Sequence, residues 1–353
     1  MEKNLSLEEK IGQMLMIGIY GHDVDEYTLK FIKQYKVGGI ILFKRNINDT
    51  KQMQELIQKL KQVNRENGNI PLFISIDQEG GRVNRLPKEI NRFQLGSKIG
   101  EKNNENYAYE QGYKVGKALK SLGVNMNLAP VLDLRTSEDD YHFIGDRAIS
   151  QNKKIVSKLG VQLIKGMQDG GIISIAKHFP GHGMSQKDSH FRIPRIDVKK
   201  ENMMKHIQPF KDAMKAGVDG ILSSHMVINY IDYYKPITIS KKAIQHLVRK
   251  KIKYDGIVMT DDLMMRSLVF YHVFGIPMQE AIQAGNDILL LCKNNRKKER
   301  EIQKLLREAK QGKIDEKLID KSVERILRLK EKYQIQDEPS EMMTTEQINE
   351  ILK

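Results

Sequence analysis

The stretch GIISIAKHFPGH, residues 171–182, opens as an apolar run, turns to Lys177 and His178, and is stopped by Phe179-Pro180-Gly181. Proline has no N–H for a strand ladder, so the strand ends there. A continuous apolar run of this length suits a strand buried on both faces. The same design recurs at 11–19, 37–43, 71–77, 124–134, 218–226, 254–262 and 286–292, which makes eight candidate strands. Amphipathic helical segments lie between most of them, such as 49–67, 105–123 and 241–252. Alternation of this kind predicts an α/β protein, either a (β/α)8 TIM-type barrel or a doubly wound open sheet. The barrel is favoured by where the polar residues fall. Seven of the eight strands run into a polar cluster at their C-terminal end: KRN, DQEGGR, DLRT, KHFPGH, SSH, TDD and KNN. In a barrel these ends converge on one face, whereas in an open sheet they spread along an edge.

The barrel is expected to span residues 1–312, its last helix following Cys292. Residues 313–353 read as a C-terminal helical extension packed on it, with Ile319, Val323, Ile326 and Leu327 as an apolar stripe and 334–347 as a loose connector. The net charge is +14, but the lysines are scattered and no aromatic-interleaved basic stripe occurs, so nucleic acid is not the expected partner. No apolar run reaches membrane-span length. The start is acidic and lacks a cleavable leader pattern, and the single cysteine, Cys292, allows no internal disulfide. The expectation is a soluble, cytoplasmic protein with no membrane or nucleic-acid partner. Oligomeric state is not legible.

Four constellations carry chemistry. In HGMSQKDSH, Asp188 and His190 are two apart, so both side chains can face one way. A carboxylate on one ring nitrogen fixes the histidine tautomer and raises its basicity, which makes a proton donor and acceptor near neutral pH. The plain alternative is a surface loop with incidental histidines. In TDDL, Asp261 and Asp262 sit at a strand tip, where a carboxylate is held rigidly enough to act as nucleophile. Neighbours on a strand face opposite ways, so one faces the barrel mouth and the other is free to cap the next helix. DQEGGRVNR places Asp77 at a strand tip, Gly80-Gly81 in a tight turn and Arg85 beyond it. IGDR offers Arg147, suited to planar recognition of sugar hydroxyls or carboxylates. A metal site would draw its ligands from His178, His182, Asp188, His190, His225 and Asp261. It is disfavoured because strand one carries no HxH and Asp287 lies at the start of strand eight.

KHFPGHG followed by DSH, with DQEGGRV, NLAPVLDL, IGDR, PFKDAMKAGVDGILSSH, ITIS and YDGIVMTDDL, resembles the family 3 glycoside hydrolases. The likeness runs in order from about residue 6 to residue 292 and is greatest to the single-domain bacterial β-N-acetylglucosaminidases that trim muropeptides. The resemblance implies Asp261 as nucleophile, His190 as acid/base and Asp188 as its orienting partner. It implies Asp77, Arg147, Lys177 and His178, with Arg85 as a neighbour, as binders of the GlcNAc hydroxyls and acetamido group, and His225 in the pocket wall near the nucleophile. No metal or organic cofactor is implied. The rival readings are a metal-dependent barrel hydrolase, a phosphate-accepting phosphorylase on the same fold, and a non-catalytic sugar-binding barrel.

Overall fold

The computed structural model describes residues 5–136, 143–185, 193–266, 268 and 275–353. Eight parallel strands form the central sheet: β1 (Leu15–Gly18), β2 (Gly39–Leu42), β3 (Phe73–Ile76), β4 (Met126–Asn127), β5 (Ile173–Phe179), β6 (Gly220–Ser223), β7 (Ile257–Thr260) and β8 (Leu289–Leu291). They pair in the order β8-β1-β2-β3-β4-β5-β6-β7. The ring closes where Met259 bridges Ile288 and the Asp287 N–H donates to the Val258 carbonyl at 2.7 Å. A closed parallel sheet inside a coat of helices is the (β/α)8 barrel expected from the alternating runs.

The helices are α1 (Leu7–Gln13), α2 (Glu26–Lys33), α3 (Thr50–Glu66), α4 (Gly96–Lys102), α5 (Glu105–Ser121), α6 (Lys153–Asp169), α7 (Lys200–Lys215), α8 (Lys242–Ile252, wound as a π-helix), α9 (Met278–Ala284), α10 (Asn295–Lys310), α11 (Glu316–Lys332) and α12 (Thr345–Ile351). Two expected boundaries shift. Residues 11–13, read as the start of a strand, belong to α1, because Ser6 and Glu9 form a reciprocal capping box that starts a helix. The run 124–134 keeps only Met126–Asn127 as regular strand. Pro130 has no N–H to donate, so the ladder breaks and resumes as a single bridge between Val131 and Lys177.

α11 runs across the N-terminal mouth. Its apolar stripe, Ile319, Val323, Ile326 and Leu327, is buried in the main core. Lys330 donates to Gln13 Oε1 (2.8 Å) and to the Gly38 carbonyl (3.1 Å), while Lys332 reaches Asp219 (2.6 Å). We read 313–353 as a closing extension of the barrel. The connector expected to be loose is pinned at Asp337, which is buried and accepts from Asn64 Nδ2 at 2.6 Å.

Candidate active site

The C-terminal mouth is organised by carboxylates beyond the ends of β3 and β4 and cations on β5 and the segment after β4. Asp77 and Glu79, two apart in extended chain, face the same way. The turn that follows needs glycine: Gly80 has φ +91, and a Cβ there would lie 2.2 Å from the Gln94 carbonyl oxygen. Lys177 Nζ sits between the two acids, 2.6 Å from Asp77 Oδ1 and 2.6 Å from Glu79 Oε1. Arg147 clamps Glu79 with both Nε and Nη2 at 2.8 Å. Burial pushes the Glu79 carboxyl up, but Arg147 and Lys177 outweigh it and hold it far below the usual carboxylate range. Burial likewise lowers Lys177, and Asp77 and Glu79 reverse this, so the ammonium is kept charged.

In the segment after β4, Asp133 Oδ2 lies 2.6 Å from His178 Nδ1. A carboxylate only accepts, so the hydrogen of this bond is carried by Nδ1. Asp133 also accepts the His182 N–H at 2.6 Å. Burial raises the Asp133 carboxyl, yet the neighbouring His178 brings it below its ordinary value. The His182 ring is buried against Phe143, with centroids 4.5 Å apart, and neither ring nitrogen has a hydrogen-bond partner among the described residues. Burial, and then His178, lower it to about 4, so this imidazole is neutral at physiological pH.

Asp261 and Asp262 follow β7. Asp262 is nearly buried and is stitched in place by the Met264 and Cys292 N–H groups, each at 3.0 Å. It therefore ties β7 to β8. Asp261 accepts the Asp262 N–H at 2.8 Å and lines a cavity of about 270 Å³. Asp77, Arg85, Arg147, Lys177 and His178 line the same cavity, with Phe43, Phe143 and Met265 supplying apolar wall. The structure thus brings together six of the nine site residues that the resemblance implies. His225, expected in the wall, instead stands behind it: it is fully buried, its Nε2 donates to the Asp262 carbonyl at 3.0 Å, and its Nδ1 lies 2.7 Å from Thr238 Oγ1. Asp188 and His190 lie outside the described residues. Among the described residues no three His, Cys, Asp or Glu side chains form a metal-binding group.

Sequence reasoning passed over Glu79 and Asp133. Both were visible in principle, Glu79 as the second acid of D-x-E at a strand tip and Asp133 as the acid of a strand ending in DL.

A barrel whose C-terminal mouth holds a small pocket of fixed carboxylates, paired cations and one oriented imidazole has the equipment of a sugar-processing enzyme. Residues 6–329 match the glycosyl hydrolase family 3 N terminal domain. This chain is similar to the beta-hexosaminidase of Hydrogenovibrio crunogenus, with 32% identity over 299 residues covering 81% of this chain and 82% of that protein. It is similar also to the beta-hexosaminidase of Haemophilus influenzae, with 33% identity covering 79% of each. A solved family 3 β-N-acetylglucosaminidase from Paenibacillus sp. superposes with a TM-score of 0.93 at 33% identity, covering 99% of this chain and 68% of that one. The chain belongs to glycosyl hydrolase family 3 and is a glycoside hydrolase. No helix among the described residues is long and apolar enough to cross a membrane.

Proposed function

We propose that the chain is a retaining, exo-acting β-N-acetylglucosaminidase that removes terminal non-reducing β-linked GlcNAc from peptidoglycan fragments in the cytoplasm. β-N-Acetylhexosaminidase activity is where the similar proteins agree, and the finer reading rests on the site. The observation that carries it is that Asp261 shares one sugar-sized cavity with Asp77, Arg147, Lys177 and His178. Asp261 attacks the anomeric carbon from one face of the ring, forming a covalent glycosyl-enzyme. His190, oriented by Asp188, gives its proton to the leaving oxygen from the other face. It then takes a proton from the water that releases the sugar.

The cluster around Lys177 supports the binding half of this reading. Its charges are already paired, so it offers fixed donors and acceptors to sugar hydroxyls without an unbalanced charge. His178, its Nδ1 occupied by Asp133, has Nε2 left for a hydroxyl or amide group of the sugar. His225 and Asp262 hold the backbone on which Asp261 rides. No metal or organic cofactor enters the proposed steps.

Trapping with a 5-fluoro GlcNAc analogue that carries a good leaving group, and mapping the labelled peptide, tests the reading. Label on the peptide carrying Asp261 is the expected result; active enzyme labelled elsewhere overturns it. For the acid/base pair, Asp188→Asn is expected to cut the rate and displace the limb of the pH–rate profile that reports His190. An unmoved profile removes the dyad.

A further inference from the structure

A cavity much larger than the sugar site lies remote from it. α5 packs on α6 and α6 on α7, but between α7 and α8 the helical coat stays open as a groove of about 1270 Å³. It runs down the barrel wall from Tyr230 and Ile231, in the segment after β6, to Val218 and Tyr254 at the starts of β6 and β7. Its floor is apolar. Ile207, Met214, Val218 and Tyr254 are buried, and Met204, Leu247 and Ile252 lie half-buried along its sides. Tyr230 is 45% exposed at the upper end.

The rim is cationic. Lys211, Lys215, Lys242, Lys251 and Lys253 line the groove, and among the described residues none of the five has an ion-pair partner. The two acids there do not offset them. Asp255 is already held by Arg325 and Arg328, leaving Asp212, which accepts from Gln208. An apolar trough with a methionine- and tyrosine-bearing lining and an unneutralised lysine rim is complementary to a helix with one apolar stripe and acidic flanks. The trough takes the stripe, and the lysines meet the carboxylates on either side. A second copy of this chain fits poorly, because each copy carries a net charge of +14.

We infer that the α7–α8 groove is a docking site for an acidic amphipathic helix of a partner protein, separate from the sugar site. The probe is a fluorescein-labelled peptide of about 18 residues, long enough to hold a helix, with Leu and Met at i, i+3, i+4 and i+7 and Glu elsewhere. Fluorescence anisotropy with the full chain is expected to show saturable binding in the micromolar range. A Lys-for-Glu version of the peptide is expected not to bind. Leu247→Glu, and separately the Lys211→Glu/Lys251→Glu pair, should each weaken binding at least tenfold while leaving turnover of a chromogenic β-GlcNAc substrate unchanged, which certifies the fold. The inference is overturned if the Glu peptide fails to bind or if either variant binds it as well as the parent. It is overturned equally if a plain polyglutamate binds as tightly and Leu247→Glu does not affect it, since the groove would then read charge alone.

Discussion

At the N-terminal mouth of the barrel, Asp219, Asp255 and Asp287 stand at the starts of β6, β7 and β8; at the C-terminal mouth, Asp77, Glu79, Asp133 and Asp261 stand at or beyond the ends of β3, β4 and β7. The lower acids are saturated. Asp287 accepts from Arg249 (2.5 Å), Arg325 (3.2 Å), Ser322 (3.0 Å) and the Val258 N–H (2.8 Å), and Asp219 from Lys332, Tyr333, Gln168 and the Ser174 N–H. At the upper mouth Glu79 and Asp133 are also fully paired, but other groups keep capacity in reserve. Asp77 is 18% exposed toward the cavity, and among the described residues Arg85 Nε has no hydrogen-bond partner and both His182 nitrogens are unpaired. Burying an ion costs several kcal/mol unless its partners are complete, so completed sets hold the scaffold together. Groups left with open valences are placed to receive a ligand or respond to a proton. The two mouths use the same residue types, and what separates scaffold from site is how fully each group is satisfied.

The sharpest break between the mouths is Asp261→Ala. Turnover of a β-GlcNAc substrate should fall by on the order of 10⁴-fold while binding of GlcNAc and thermal stability change little. Near-normal turnover in steady-state assays would dissolve the distinction at once. Lys177→Met comes next, because it takes the buried cation from Asp77 and leaves Glu79 with Arg147 alone. It should cost roughly 3–5 kcal/mol of stability in denaturant melts and also depress kcat/KM. Asp287→Ala at the opposite mouth should cost a similar 3–5 kcal/mol with kcat per folded molecule unchanged, since it touches only the scaffold. A matched fall in kcat would mean that the two ends are coupled.

A smaller effect tests the reserve at His182. Its imidazole falls from 6.5 to about 4 on folding, so the unfolded chain binds the proton more readily. Stability is therefore full above pH 6.5 and drains away as pH falls toward 4, by on the order of 3 kcal/mol from this group. His206, also lowered to about 4 by burial, contributes in the same direction. His182→Phe should flatten the melting temperature between pH 6.5 and 4, leaving the part due to His206; a slope equal to the parent's would remove His182 as its source. The least effect is expected at the surface. Lys10→Ala breaks contacts to Glu316 and Asp320, both well exposed, and should shift stability by no more than about 1 kcal/mol.

Much of this division was legible in the chain. YDGIVMTDD announces a buried strand and a carboxylate at its tip, and the structure puts Asp261 on the cavity wall. Asp287 at the start of its strand read as too far from the mouth to ligate anything there, and it lies in the lower network. The capping box at Ser6 and Glu9 was equally local, but the apolar run across residues 11–19 masked it. Glu79 was invisible as a partner because its worth lies in Arg147 and Lys177, 68 and 98 residues further along the chain. His225 was expected in the pocket wall from the family resemblance; which side of its strand end faces the sugar depends on Thr238 and Asp262, brought there from other segments.

By itself the sequence determined the period of alternation, the strand count, the polar strand ends and the types of residue available for acid–base and nucleophilic work. These are local properties, set by hydrophobic run length, proline and glycine, and by side-chain chemistry. Only the tertiary structure decided which charges neutralise one another, which imidazoles are left neutral and unpaired, and that α11 seals one mouth while a groove stays open between α7 and α8. Those outcomes depend on distances of a few ångströms between residues far apart in the chain, and electrostatic and hydrogen-bond energies change steeply over that range.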